Sequence, residues 1–269
     1  MLRLTLSLFV LASLAPAQDA IPVYRAARTV DPITVDGRLT EFTWAVLPRV
    51  GRFKHIHNPD RTGTLPTEAA VAWDETNLYI AFACYDREPW STMMKRDDRL
   101  WEQEVVEVFL DPDADGKNYP ELEVSPNNVV VDLLIPGVPG PRTDASIAAR
   151  WDIKGLKTAV GKPANGWTVE IAIPWASLEG SGTNRAPKIG ERWRVGLYRI
   201  ERPDGPEKAK ALADLQAKAR NATGAEKAKL EAEAEKLREP LQFLAWSPTK
   251  TGSFHDPARF GIVEFVLQP

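Results

Sequence analysis

Glu107 is a carboxylate in a segment, residues 105–110, that is otherwise apolar and typical of a β-strand. Side chains alternate along a strand, so Val105, Glu107 and Phe109 should share one face. A carboxylate between apolar neighbours is costly unless it is paired or solvated. The pattern predicts either a solvated acidic face or a groove in which Glu107 meets an arginine, a cation or sugar hydroxyl groups.

The turn that follows this strand brings further carboxylates toward Glu107. A symmetric hairpin would place Glu107 opposite Glu123, and Phe109 opposite Glu121. The next hairpin would place Asp132 opposite Glu121, so four carboxylates would share one face of three strands. Because directly opposed like charges destabilise a sheet, we expect a partner that offsets them.

A later strand, residues 193–200, places Arg194 and Tyr198 in the same phase, so both are expected to face this groove. The cluster also allows an enzymatic alternative, because glycosidases use two carboxyl groups about 5–5.5 Å or 6.5–9.5 Å apart. A glycoside hydrolase of this kind would use two residues from the set Glu107, Glu121, Glu123 and Asp132.

The turn itself, Asp111, Asp113, Asp115 and Gly116, spells D-x-D-x-D-G. This is the front half of a calcium-binding loop, with oxygen ligands at alternate positions and a glycine at the sharp bend. Position 12 of such a loop would be Leu122 rather than glutamate, so a plain acidic turn is the favoured alternative.

Histidine and sulfur-containing side chains give only weak indications of a metal or haem site. His55 and His57 are two residues apart and would share a strand face, but the sequence places no third ligand beside them. His55, Met93 and Met94 keep a haem-binding sandwich open as a remote alternative, although no haem-attachment motif is present. Cys84 lies in an apolar strand and is expected in the core.

Short strands separated by turn residues make up most of the chain, and no helices alternate with them. This predicts an all-β fold, an antiparallel β-sandwich of jelly-roll type. Residues 206–239 differ: they contain ten alanines, eight Lys/Arg and seven Asp/Glu, with no aromatic residue. Two apolar seams separated by Asn221-Ala222-Thr223-Gly224 predict an inserted two-helix hairpin.

Composition and the N-terminus limit where the protein acts. The 269 residues carry a net charge of −3, which argues against a nucleic-acid partner. Residues 1–17 combine a basic start, a short apolar run and a final Ala-Pro-Ala, as in a cleaved signal peptide. Residues 18–269 are then expected to form a single domain, secreted or periplasmic, with no membrane span.

Five segments, in order, resemble family 9 carbohydrate-binding modules. They are the "IDG" start at Val35-Asp36-Gly37, the "WDE..LYV" strand pair at 73–80, "WEQDSVEIF" at 101–109, "GW..E.AIPW" at 166–175, and the "WS…W.DP.KFG" close at 246–261. Their order and joint presence carry the resemblance, since no single motif is specific.

The resemblance implies a jelly-roll that holds a sugar between two aromatic rings. Trp101 matches one ring, and Phe254 stands where the family has tryptophan. Large aromatic residues are also common in cores, which is the alternative for both. Glu107 matches a sugar-contacting carboxylate, whereas Glu123 replaces a contacting arginine. The family also binds structural calcium, and Asp86 matches one such ligand.

The sequence therefore predicts a secreted, non-catalytic carbohydrate-binding protein, accessory to polysaccharide breakdown. Its partner would be a glycan or polysaccharide chain end, and its only expected cofactor would be structural calcium. The residues predicted to bind the sugar are Trp101, Glu107, Glu123, Phe254 and Arg194; those predicted to bind metal are Asp86, Asp111, Asp113 and Asp115.

Overall fold

The computed structural model describes residues 20–136, 151–203, 205–237 and 241–268, so the predicted signal peptide lies outside the described residues. Within these residues, twelve strands form one continuous hydrogen-bonded sheet. They are β1 (Val23–Arg28), β2 (Lys54–His55), β3 (Thr67–Trp73), β4 (Asn77–Tyr85), β5 (Val105–Asp111), β6 (Tyr119–Val124), β7 (Val130–Ile135), β8 (Lys157–Gly161), β9 (Gly166–Pro174), β10 (Arg192–Glu201), β11 (Gln242–Ala245) and β12 (Gly261–Val266).

The sheet curls so that its two ends share a core. The strand order is β7-β6-β5-β10-β12-β1-β3-β4-β9-β8, and β11 bridges β10 and β2. Val108 of β5 and Leu122 of β6 belong to the same buried cluster as Phe82 of β4 and Val169 of β9, although these strands lie near opposite ends of the order. The predicted all-β class is confirmed in the coarser sense that the chain is mostly β, and the jelly-roll description stays a prediction.

The prediction of a purely antiparallel sheet is wrong at β1. This strand runs parallel to both neighbours, pairing Val23 with Ile262 of β12 and Ala27 with Ala72 of β3. A parallel neighbour needs a long connection that returns to the same end of the sheet. Residues 29–66, which include the short helix α1 (Phe42–Val46), supply it between β1 and β3.

Turn chemistry fixes the hairpin between β3 and β4. The Asp74 carboxylate accepts hydrogen bonds from the backbone N–H groups of Thr76 and Asn77, both at 2.7 Å. Such side-chain caps are why aspartate favours turns.

The inner core is rich in tryptophan: Trp193 and Trp73 both meet Phe265 edge-on, with ring centroids 5.0 and 6.0 Å from that of Phe265.

The outer face of the sheet carries two separate apolar clusters. Over β3, β4 and β9, helix α1 and the loop before it cover one cluster, which includes Trp44 and Tyr79. Over β5, β6, β7 and β10, the other cluster is built around Phe109, Tyr119 and Tyr198. Other parts of the chain therefore pack over both clusters of the outer face. The cluster around Phe109, Tyr119 and Tyr198 is the one that contains or adjoins the residues predicted to bind sugar.

Two consecutive helices, α2 (Gly205–Asn221) and α3 (Gly224–Leu237), lie between β10 and β11 at the place of the predicted insertion. They contact each other, and among their described side chains only Ala219 and Ala234 are buried. The description as an accessory hairpin stays a prediction. Among the described residues, no helix combines the length and apolarity that crossing a membrane requires.

Candidate functional site

Three buried glutamates meet on the outer face of β5 and β6. Glu107 pairs with Glu123, and Phe109 pairs with Glu121, so the predicted hairpin register is confirmed. All three glutamates are at most 2% exposed, and one carboxylate oxygen from each lies within 4.8 Å of the other two. We call Glu107, Glu121 and Glu123 the outer acidic cluster.

Asp132 does not join this cluster, so the predicted four-carboxylate face is wrong. Val124 pairs with Val130, so five residues, rather than four, form the turn between β6 and β7, and Asp132 lies beside Leu122. A one-residue shift moves a side chain to the opposite face. Asp132 there accepts hydrogen bonds from the Arg96 guanidinium at 2.5 Å and the Ile153 N–H at 2.7 Å.

Aromatic rings surround the outer acidic cluster. Tyr198 of β10 pairs with Glu107, and its ring lies 5.0 Å from that of Phe109. Burial, with a smaller contribution from the charge of Glu107, raises the pKa of Tyr198 well above its usual value. Tyr198 therefore stays a neutral phenol, and its hydroxyl donates to the Phe254 carbonyl at 3.2 Å.

His255 is a member of the site that the sequence reasoning missed. Its Nδ1 lies 2.9 Å from the Tyr119 hydroxyl, and its Nε2 lies 3.7 Å from a carboxylate oxygen of Glu121. Its ring stacks on Phe109 at 5.1 Å, and its side chain keeps 20% of its surface exposed. In the sequence, only its position beside Phe254 in the closing motif points to the site. Tyr119 is 136 residues away, so only the tertiary fold brings the two side chains together.

Phe254 and Trp101 pack against the same outer cluster from two different loops. Phe254 is buried and stacks nearly parallel on Tyr198, with ring centroids 4.2 Å apart. Trp101 is partly buried in a short 3-10 turn, Leu100–Glu102, and the Arg99 guanidinium lies 5.6 Å from its ring. Trp101 precedes β5, so it does not share a strand face with Glu107.

Arg194 supports the site at a distance from the outer acidic cluster. It pairs with Asp111 at the far end of β5, four residues along β10 from Tyr198. Its guanidinium donates to the carbonyl groups of Ala258 and Phe260, both at 3.2 Å. Arg194 therefore anchors the segment that follows His255.

A second buried acidic group lies on the inner face of the sheet. Arg199 donates to Asp86 at 2.7 Å and forms an ion pair with Glu201, and Glu104 lies beside them. Burial raises the pKa of Glu104 to about 10 and that of Glu201 to about 7. The positive charge beside Asp86 is thus an arginine, and calcium at Asp86 stays a prediction. Cys84 is buried in the core, as predicted.

The remaining predicted ligands lie elsewhere. Asp111 is buried at the end of β5, whereas Asp113 and Asp115 are exposed in the following turn, with oxygens of all three within 4.8 Å of one another. His55 ends β2, and burial lowers its pKa. Within the described residues, the groups of three or more potential metal ligands contain no histidine.

Comparison with known proteins gives a consistent result. A family model described as carbohydrate family 9 binding domain-like matches residues 35–267. A protein of Arthroderma benhamiae named "Extracellular protein" is 26% identical over 151 residues, which are 52% of this chain and 66% of that protein. Exoglucanase XynX of Acetivibrio thermocellus is 27% identical over 163 residues, which are 61% of this chain but 13% of the enzyme.

Solved structures share the fold. A family 9 carbohydrate-binding module of Caldicellulosiruptor kristjanssonii in complex with cellotriose superposes with a TM-score of 0.59 at 15% identity, covering 92% of this chain and 95% of that one. A family 9 carbohydrate-binding module of the same organism in complex with glucose superposes with a TM-score of 0.58 at 15% identity, covering 92% of this chain and 97% of that one. These comparisons support neither the hydrolase nor the haem-binding alternative.

Proposed function

The chain belongs to the carbohydrate family 9 binding domain-like family, and from this membership we propose that it is a secreted, non-catalytic protein that binds the end of a glycan chain. The site is the outer face of β5, β6 and β10. The observation that carries the proposal is the outer acidic cluster, three buried glutamates within 4.8 Å that are ringed by aromatic side chains.

Sugars suit this combination of groups. The apolar CH faces of a sugar ring pack on aromatic planes, and carboxylates accept short, charge-assisted hydrogen bonds from hydroxyl groups. Trp101 is partly buried, so it can offer a ring face to a ligand. Phe254 has one face stacked on Tyr198, so it contributes only the other. Trp101 is therefore the principal platform, and Phe254 is the opposite wall.

Hydrogen bonding is assigned to the carboxylates and the histidine. Glu107 and Glu123 accept from sugar hydroxyl groups, and their direct opposition on neighbouring strands lets them serve adjacent hydroxyls. His255, which contacts Glu121 and is partly exposed, adds a polar group at the edge of the site. Arg194 acts indirectly, because its guanidinium is engaged with the backbone at Ala258 and Phe260.

The cellular role follows from the same family. Residues 1–17 would direct export and be removed, and residues 18–269 would form one jelly-roll domain with an accessory helical hairpin. One relative is named an extracellular protein and another an exoglucanase, of which this chain matches only a small part. We therefore assign an accessory role in polysaccharide breakdown, outside the cytoplasm and without hydrolysis by this chain.

Substitution of Trp101 tests the proposal. Affinities for cellotriose, for glucose and for a glycan array would be measured for the parent protein and for Trp101→Ala. Removing an aromatic anchor costs about 1–3 kcal/mol, so we expect about tenfold or greater weakening with unchanged thermal unfolding. Phe42→Ala, at an aromatic residue that is 64% exposed on α1, is the matched control and should bind normally.

Glu107→Gln separates binding from catalysis. It keeps the shape of the side chain but removes its charge, so we expect a smaller loss of affinity than for Trp101→Ala. Product analysis after long incubation with the bound glycan should show no cleavage by either protein. Unchanged affinity, together with loss of a slow cleavage seen in the parent protein, would identify a hydrolase and overturn the proposal.

A further inference from the structure

We propose that the acidic turn, residues 111–116, binds a calcium ion through Asp111, Asp113 and Asp115. The sequence alone favours a plain turn here, because the glutamate of a complete calcium loop is replaced by Leu122. A buried oxygen atom of Asp111 changes that preference.

Asp111 is only 1% exposed, and its two carboxylate oxygens differ. Oδ2 accepts a hydrogen bond from the Gly116 N–H at 3.1 Å, which closes the turn. Oδ1 is buried and has no hydrogen-bond partner among the described residues. A buried carboxylate oxygen without a hydrogen-bond partner is unfavourable. In native proteins such an atom usually binds an ion or an ordered water.

The charges around Asp111 favour a cation rather than a water. Oxygens of Asp113 and Asp115 lie within 4.8 Å of it. Arg194, its cross-strand neighbour, donates instead to two backbone carbonyl groups. A divalent ion bound by the three carboxylates would offset their mutual repulsion.

The geometry of the turn fits calcium. Oxygen ligands stand at alternate positions, and Ala114 and Gly116 have positive φ values of 59° and 74°, which bend the chain around its centre. A Cβ atom on Gly182 would lie 2.7 Å from Asp113 Oδ2, so a neighbouring loop packs against that carboxylate. Calcium takes six to eight oxygen ligands, so carbonyl groups and waters can complete its shell.

The affinity should be low. Without a bidentate glutamate at position 12, the site offers fewer charged ligands than an EF-hand, so we expect a Kd in the range of extracellular modules, about 10⁻⁴–10⁻³ M. Calcium would join the end of β5 to its surroundings. A Cβ atom on Gly116 would lie 3.6 Å from Pro257, in the segment that Arg194 anchors.

Calcium titration of the chelator-treated protein tests this site. We expect calorimetry with CaCl₂ to show an ion that the Asp113→Asn/Asp115→Asn variant does not bind. At 10 mM CaCl₂, ligand linkage predicts a Tm rise of about 3–10 °C for the parent protein. Both substituted residues are exposed, so the variant should fold. Asp60→Asn, in another exposed turn, is the matched control and should keep the rise.

The outcomes are distinct from those for glycan binding. Trp101→Ala should retain the calcium response, and so should a protein that proves to bind no glycan. An equal Tm rise in the double variant would overturn the proposal, as would an equal response to MgCl₂. Loss of the calcium response in Asp86→Asn but not in the double variant would place the ion in the inner acidic group and also overturn it.

Discussion

Two regions of the outer face of the sheet contain buried glutamates in very different surroundings. On β9, the single carboxylate of Glu170 is 0% exposed and accepts three hydrogen bonds: from the Trp44 indole at 2.8 Å, the Asp36 N–H at 2.9 Å and the Gly37 N–H at 2.8 Å. On β5 and β6, three carboxylates crowd within 4.8 Å of one another. Hydrogen bonds within the fold hold Glu170, whereas the outer acidic cluster forms the site that we propose for the glycan.

Backbone approach explains how Glu170 comes to be structural. Gly37 has φ +83°, and a Cβ atom there would lie 2.5 Å from the Gly161 backbone nitrogen. Because glycine has no Cβ atom, the loop can pack this closely against the sheet and place two backbone N–H groups within hydrogen-bonding distance of Glu170. The Val35-Asp36-Gly37 motif, Trp44 and Glu170 therefore belong to one structural unit. Over the outer acidic cluster, loops instead deliver side chains such as Trp101 and His255.

The largest expected effect is on the structural face. Glu170→Ala should lower the free energy of unfolding by about 3–5 kcal/mol, because the buried Trp44 indole and two backbone N–H groups, one of them buried, lose their acceptor. Urea denaturation would measure the loss. Glu68→Ala, at a half-buried glutamate on β3, is the control and should change stability by less than about 1 kcal/mol. A similar small loss for Glu170→Ala would contradict a structural role.

A smaller effect, on binding rather than stability, is expected at His255. His255→Ala removes its contacts with Tyr119 and Glu121 and its stacking on Phe109. We expect glycan affinity to fall about 3–10-fold, as for loss of one or two hydrogen bonds, while Tm falls by only a few degrees. A large loss of stability with unchanged affinity would show that His255 is structural, like Glu170.

The same contrast shows what the sequence can predict. The register of Glu107 and Glu123 was predictable because one short acidic turn joins their strands. Asp132 was misplaced because the five-residue turn includes Asn128 at a positive φ of 57°, which the residue types do not dictate. His255 was missed because a loop far along the chain brings it to Tyr119. A short acidic turn can therefore be predicted from sequence, whereas a turn that depends on one left-handed residue, and contacts between distant loops, cannot.

The smallest effect is expected from the helices, because none of their described residues belongs to the three buried apolar clusters. Helices α2 and α3 contact each other, and only Ala219 and Ala234 among their described side chains are buried. Replacing residues 206–239 with a short Gly/Ser linker should leave a cooperative unfolding transition and shift Tm by only a few degrees, because little apolar area is removed from the cores. Glycan affinity should stay within about twofold, since Trp101, Glu107 and Phe254 lie outside the replaced segment. Calorimetric unfolding and glycan titration of the deletion variant would measure both. A broad, non-cooperative transition would show that the helices complete the fold, and normal unfolding with lost affinity would make them part of the binding surface.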